Sequence, residues 1–272
     1  MLTRSGTPDT LAHESLVTLI CIGIVASVLG DLTHEVLGHM MVGLLSGAHM
    51  TLLSSVGLQT VGPENKLLSA AGTGANVLAG AAALGFLLRR SNTLKETTAY
   101  FLLVFGAFNL MNCGYLVYSA VAQQGDWAAV INTLSPGWLW RALLAGIGVA
   151  AYGLSVTAIA RVMASMFDRS ALSRSQVQRL VWTPYLSGAA VMTLAAVFNP
   201  FSASLILISG LGASLINWGF LLAGGRIQTT DNPRVTAAGR HVDLPWLIAA
   251  LLVGGLFIGL LGPGICLNDC SN

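Results

Sequence analysis

The stretch Asp31-Leu-Thr-His34-Glu35-Val-Leu-Gly38-His39 decides how this chain is read. It puts two imidazoles and a carboxylate within six residues, between apolar runs from Leu16 to Gly30 and from Met40 to Leu45. A carboxylate at the centre of a bilayer helix costs roughly 2.5–3.5 kcal/mol on insertion scales. Asp31, His34, Glu35 and His39 in one apolar span are therefore expensive, and polar groups placed so mark a functional site. Residue type agrees. His-Glu followed by a second His is how zinc hydrolases set two ligands and a general base on one helix.

The spacing departs from the common His-Glu-x-x-His pattern. His34 and His39 stand at i and i+5. On an ideal helix such residues point about 140° apart, whereas i+4 residues are about 40° apart. One π-bulge absorbs the extra residue and restores a shared face, with Gly38 as its weak point. Two alternatives stay open. Glu35 and His39, at i and i+4, form the pair with His34 displaced, or the polar face packs against other spans without a metal.

Of 272 residues, 54% are hydrophobic and 9% charged. Soluble domains carry roughly 25% charged residues, so a multi-pass membrane protein is expected. The net charge of +2 says nothing about nucleic acid, but no basic, aromatic-interleaved patch is present, so no nucleic-acid partner is expected. The only basic residue ahead of the first apolar run is Arg4, so the first helix is expected to remain uncleaved.

The expected fold is all-α, a transmembrane helix bundle of about seven spans, six being the alternative. A polar segment, 1–15, precedes a three-span core, 16–130, and a four-span accessory region, 131–272, with a short polar tail. Span 1 runs from Leu16 to Leu45, span 2 from Leu68 to Leu88, span 3 from Thr97 to Ala122 and span 4 from Leu139 to Ala164. Asn199-Pro200 divides Val181 to Ala223 into spans 5 and 6, and span 7 is Leu244 to Leu261. Between spans 1 and 2, Gly57 and Thr60-Val-Gly-Pro63 argue for a hairpin or a re-entrant segment.

With seven spans, Arg89, Arg90, Lys95, Arg161, Arg169, Arg174, Arg179, Arg226, Arg234 and Arg240 share one side with Arg4. Only Lys66 and Arg141 fall on the other. The positive-inside rule then sets the N-terminus in the cytoplasm and the C-terminus outside, where Cys266 and Cys270 meet an oxidising compartment. Cys21 and Cys113 fall within spans and are expected as apolar filler. At 1.5 Å per residue, His34 and His39 lie about 17 and 10 Å below the outer end of span 1. Asn76 on span 2 and Asn112 on span 3 come to similar depths, about 12 and 15 Å, and Asp126 follows just past span 3. In span 2, Gly72, Asn76 and Gly80 recur every four residues, a face small enough for close helix contact.

His34-Glu35 with Gly38-His39, followed by Ala71-Gly72-x-x-Ala75-Asn76, resembles the site-2 protease class of intramembrane zinc metalloproteases. The resemblance covers roughly residues 16 to 130. It implies a His-Glu helix, then an Asn helix, then an Asp ligand from a third. Three features depart from that class. Its His pair is i, i+4, whereas the i, i+5 string here is similar to the zinc motif of the soluble dipeptidyl-peptidase III family. Its third ligand sits in an Asn-Pro-rich stretch, whereas here Asn109 and Asn112 precede Gly125-Asp126-Trp127 without those prolines. Its sites lie toward the cytosol, whereas the charge count sets this one toward the outside.

The expected activity is zinc-dependent hydrolysis of peptide bonds in membrane-embedded proteins or peptides. Zn2+ would be held by His34, His39 and Asp126, with Asp31 and His49 as the other candidates for third ligand. Glu35 is the expected general base, and Asn76 and Asn112 the groups for substrate or oxyanion. The alternative is a non-catalytic membrane scaffold, or a metal transporter, with a protease-like polar core.

Overall fold

The computed structural model describes residues 14–62, 65–167, 172–202, 204, 206, 210, 212–231 and 242–268. Arg4, Arg169, Arg234, Arg240 and Cys270 lie outside the described residues. The chain is an all-α, membrane-type bundle with a small β-sheet at one end, and six helices are long and apolar enough to cross a bilayer.

Span 1 is three segments in line: α1 (Leu16–Leu32), a π-helical turn (Thr33–Met40) and α2 (Met41–Ser46). The Ser15 hydroxyl caps α1 by accepting from the Val17 N–H. Gly47, at φ 71°, ends α2 in the left-handed conformation that glycine adopts without strain. The chain then forms β1 (His49–Ser54) and β2 (Gly57–Val61), an antiparallel hairpin with a bulge between Met50 and Leu52. Asn65 caps α3 (Lys66–Arg90) by accepting from the N–H groups of Leu67 and Leu68.

Span 3 is broken into α4 (Glu96–Met111) and α5 (Gly114–Ala122). Between them the ladder tightens to i→i+3 bonds, Asn112 N–H to Asn109 O and Cys113 N–H to Leu110 O. Spans 1 and 3 thus depart from α-geometry in opposite senses, one loosened and one tightened. A short helix, α6 (Asp126–Ile131), precedes α7 (Gly137–Met166). A Ser173–Gln176 capping box opens α8 (Arg174–Val197). The remaining helices are α9 (Ala213–Ile216), α10 (Trp218–Gly224) and α11 (Leu244–Leu256), the last continued by a π-turn (Phe257–Leu261).

Where span 6 was expected, only part of the chain is described, and its longest apolar helix, Ser214–Gly224, is short. Even so, Gly210 abuts Thr193 and Ala196 near the end of α8, and Gly224 abuts Val181 near its start. The segment therefore runs antiparallel to α8. The two ends of the bundle agree. At one end Arg179 donates to the Glu14 carbonyl, and the Asp243 N–H and Thr97 hydroxyl join α1, α4 and α11. At the other, β3 (Ile265–Cys266) pairs with β1, giving sheet order β2-β1-β3. The start of span 1 and the last strand lie at opposite ends, as an odd number of passes requires.

The core lies between α1, α4, α7, α8 and α10, around Ile22, Leu103, Ile159, Met163 and Phe220. The buried Tyr100 hydroxyl donates to the Leu180 carbonyl. Helices α1 and α8 meet through small residues: Gly23 faces Pro184 and Ser187, and Gly188 faces Ser27.

Candidate metal centre

The π-turn resolves the spacing of the two histidines. Its wider winding brings His34 and His39 to one face, with ring centroids 4.8 Å apart. Both face Asp126 at the start of α6. His34 Nε2 lies 3.1 Å, and His39 Nε2 3.2 Å, from the same Asp126 Oδ2. The three ligand atoms fall within 4.8 Å of one another. Asp31 and His49, the other candidates, stand outside this group; His49 is exposed at the start of β1.

The hydrogen bonds on the far side of each ring fix its tautomer. Asn76 donates from Nδ2 to the Gly30 carbonyl (2.9 Å) and to Asn109 Oδ1 (2.7 Å). Its Oδ1 can therefore only accept, and it accepts from His34 Nδ1 at 2.7 Å. His39 Nδ1 lies 2.7 Å from the Leu68 carbonyl, which also can only accept. Both neutral rings thus turn an unprotonated Nε2 toward a carboxylate oxygen. When both rings are neutral, lone pairs converge from three sides, an arrangement that suits a cation between them.

Asn76 also serves the π-turn. Widening the helix loosens the ladder at the Gly30 carbonyl, which takes the Thr33 N–H and the Asn76 amide. Both N–H donors of Asn76 are thus used within the protein. Asn112, at the break in span 3, keeps a buried Oδ1 without a protein partner and lines the cavity beside the cluster. Gly38 lies within the turn, against α3. Its missing side chain lets the turn touch Gly72 of α3, whose Cα would lie 2.5 Å from a Gly38 Cβ.

Gly72 shows the fit of a metal most directly. A Cβ there would lie 2.5 Å from Nε2 of both His34 and His39. Zinc sits about 2.0–2.1 Å from histidine nitrogen, so glycine keeps open the hollow an ion would fill. The surrounding charge agrees. A cavity of about 320 Å³ is lined by Asp31, Glu35 and Asp126, and, among the described residues, by no lysine or arginine. Glu35 is 7% exposed, and its Oε2 has no hydrogen-bond partner. Three carboxylates in an apolar bundle without a basic side chain suit a divalent cation.

The turn of the hairpin and β2, through Ser55, Gly57, Leu58 and Thr60, forms one wall of the cavity. Tyr115 and Tyr185 line it as well and were not among the residues singled out from sequence. A signal for Tyr115 was present, since it follows Asn112 by three residues on one helix face. Nothing marked Tyr185. No family model matches this chain, and neither a curated protein nor a solved structure is similar to it.

Proposed function

We propose that this chain is an intramembrane zinc metalloprotease, the activity implied by its resemblance to the site-2 protease class. The observation that carries the reading is the convergence of two imidazole nitrogens and one carboxylate beside a buried glutamate. When bound, zinc would lower the pKa of a water and polarise a peptide carbonyl. His34, His39 and Asp126 would hold it, the rings kept in register by Asn76 and the Leu68 carbonyl. Glu35 takes a proton from the attacking water and returns it to the leaving nitrogen. The free edge of β2 offers backbone hydrogen bonds to an extended peptide, which a substrate helix must become before its carbonyl is reachable. The substrate is accordingly a membrane-embedded segment that unwinds locally.

The alternative is a scaffold or metal transporter with the same polar core. Orientation follows the charge count: the end carrying Arg89, Arg90, Arg174 and Arg179 faces the cytoplasm, and the metal centre lies toward the outside.

The test uses wild type and Glu35→Gln in proteoliposomes with a single-span model peptide carrying a glycine-rich centre. Wild type should cleave the peptide and stop when the metal is chelated. Glu35→Gln should keep its zinc and cleave nothing. Full turnover by that variant would remove Glu35 as the base.

A further inference from the structure

The chain has five tyrosines. Three donate to protein acceptors: Tyr100 to the Leu180 carbonyl, Tyr118 to Gln124 Oε1 at 3.3 Å, and Tyr152 to the Ile216 carbonyl at 2.7 Å. Among the described residues, Tyr115 and Tyr185 have no such acceptor, and both line the cavity. Their O–H groups are thus left to whatever enters it.

Only Tyr115 adjoins the ligands. Its ring meets His34 edge-on at 6.2 Å and stacks on Tyr118 at 5.5 Å, which holds it in place. Its hydroxyl rests against Gly125, the residue before Asp126, so closely that a Cβ there would collide with it. Gly125 also has φ 78°, which glycine alone adopts cheaply. The ligand-bearing turn is thus shaped around a phenol. With Asn76 spent, the site needs another donor for the charge that develops on a carbonyl oxygen.

We propose that Tyr115 is that donor, a catalytic residue that hydrogen-bonds the oxyanion; this rests on the metalloprotease reading. As Glu35 takes the proton of the attacking water, the water oxygen bonds to the carbonyl carbon. The C=O π pair moves onto oxygen, where the Tyr115 O–H donates while keeping its proton. Collapse breaks the C–N bond, and Glu35 delivers the proton to nitrogen. A fixed donor of this kind contributes most in a dry site, because it needs no reorganisation as charge develops.

The test measures binding of a dipeptide phosphonamidate, a stable tetrahedral oxyanion, to zinc-loaded wild type and Tyr115→Phe in detergent, with zinc content of each. Tyr118→Phe is the control for losing a nearby phenol. Tyr115→Phe should hold wild-type zinc but bind the phosphonamidate about 100-fold more weakly, and Tyr118→Phe should bind it like wild type. In wild type labelled with carbon-13 at tyrosine Cζ, the resonance missing from Tyr115→Phe should shift on binding; this needs no folded variant beyond the one used for assignment. Equal affinity in Tyr115→Phe, an unmoved resonance, or loss of zinc from that variant would each overturn the donor role. A wild type without zinc would overturn the metalloprotease reading and this proposal with it, whereas zinc-bound wild type with an unaffected Tyr115→Phe overturns this proposal alone.

Discussion

Asn76 is 2% exposed and makes three hydrogen bonds, to a ring, a loosened carbonyl and a neighbouring amide. Truncating it removes the group that orients His34 and uncaps the Gly30 carbonyl together. Residues that orient metal ligands typically matter about 10- to 100-fold in affinity. Asn76→Ala should therefore weaken zinc by that factor in a chelator competition while leaving one site per chain. An unchanged affinity would show that the ring needs no such support. Gly72→Ala acts differently. The new methyl enters the hollow between the two Nε2 atoms, so zinc should be lost while the helical circular dichroism stays near wild type. Retained zinc would mean that the ion lies elsewhere.

The π-turn is the element on which the site depends, and its existence was legible from spacing alone. Two histidines at i and i+5 in an apolar span share a face only if the helix is widened, and Thr33–Met40 is widened. Asp126 was legible through the need for a ligand from another span. The hairpin was only half legible, as its glycines excluded a helix without specifying strands. Its third strand, at Ile265–Cys266, was not legible, because pairing across more than two hundred residues leaves no local mark. The hydrogen bonds of Asn76 were not legible for a similar reason: spacing shows which face a residue is on, but not how many of its hydrogen bonds are already used. If the turn is a single-residue insertion, deletion of the exposed Leu37 should relax it to an α-helix and leave the segments on either side in register. The expected outcome is a His-Glu-x-x-His helix with wild-type zinc content by elemental analysis. Loss of zinc in the deletion would show that the wide turn itself, and not merely the shared face, makes the site.

At the scale of the whole molecule, the last strand is hydrogen-bonded to the hairpin that walls the cavity. The Leu267 N–H donates to the Thr51 carbonyl, the Asn268 side chain to the Met50 carbonyl, and the Ser55 N–H to the Leu261 carbonyl. Removing everything after Gly262 should loosen residues 49–61, read as faster amide exchange there with the remaining helices unchanged. Unaltered exchange would show that the hairpin stands without the tail. The same pairing sets the tail at the metal end of the bundle. Cys266 is disulfide-bonded, whereas Cys21 and Cys113 are free and buried. If the arginine-rich end faces the cytoplasm, as proposed, a membrane-impermeant thiol reagent applied to intact cells after reduction should label Cys266. Labelling only after permeabilisation would reverse the orientation and turn the metal centre toward the cytosol. These tests concern how the site is held and which way it faces. Whether the site holds a metal is decided by the zinc content of purified wild type against His39→Ala. About one zinc per chain is expected in wild type and none in the variant; no zinc in wild type, or equal zinc in both, would rule out a metal on these ligands.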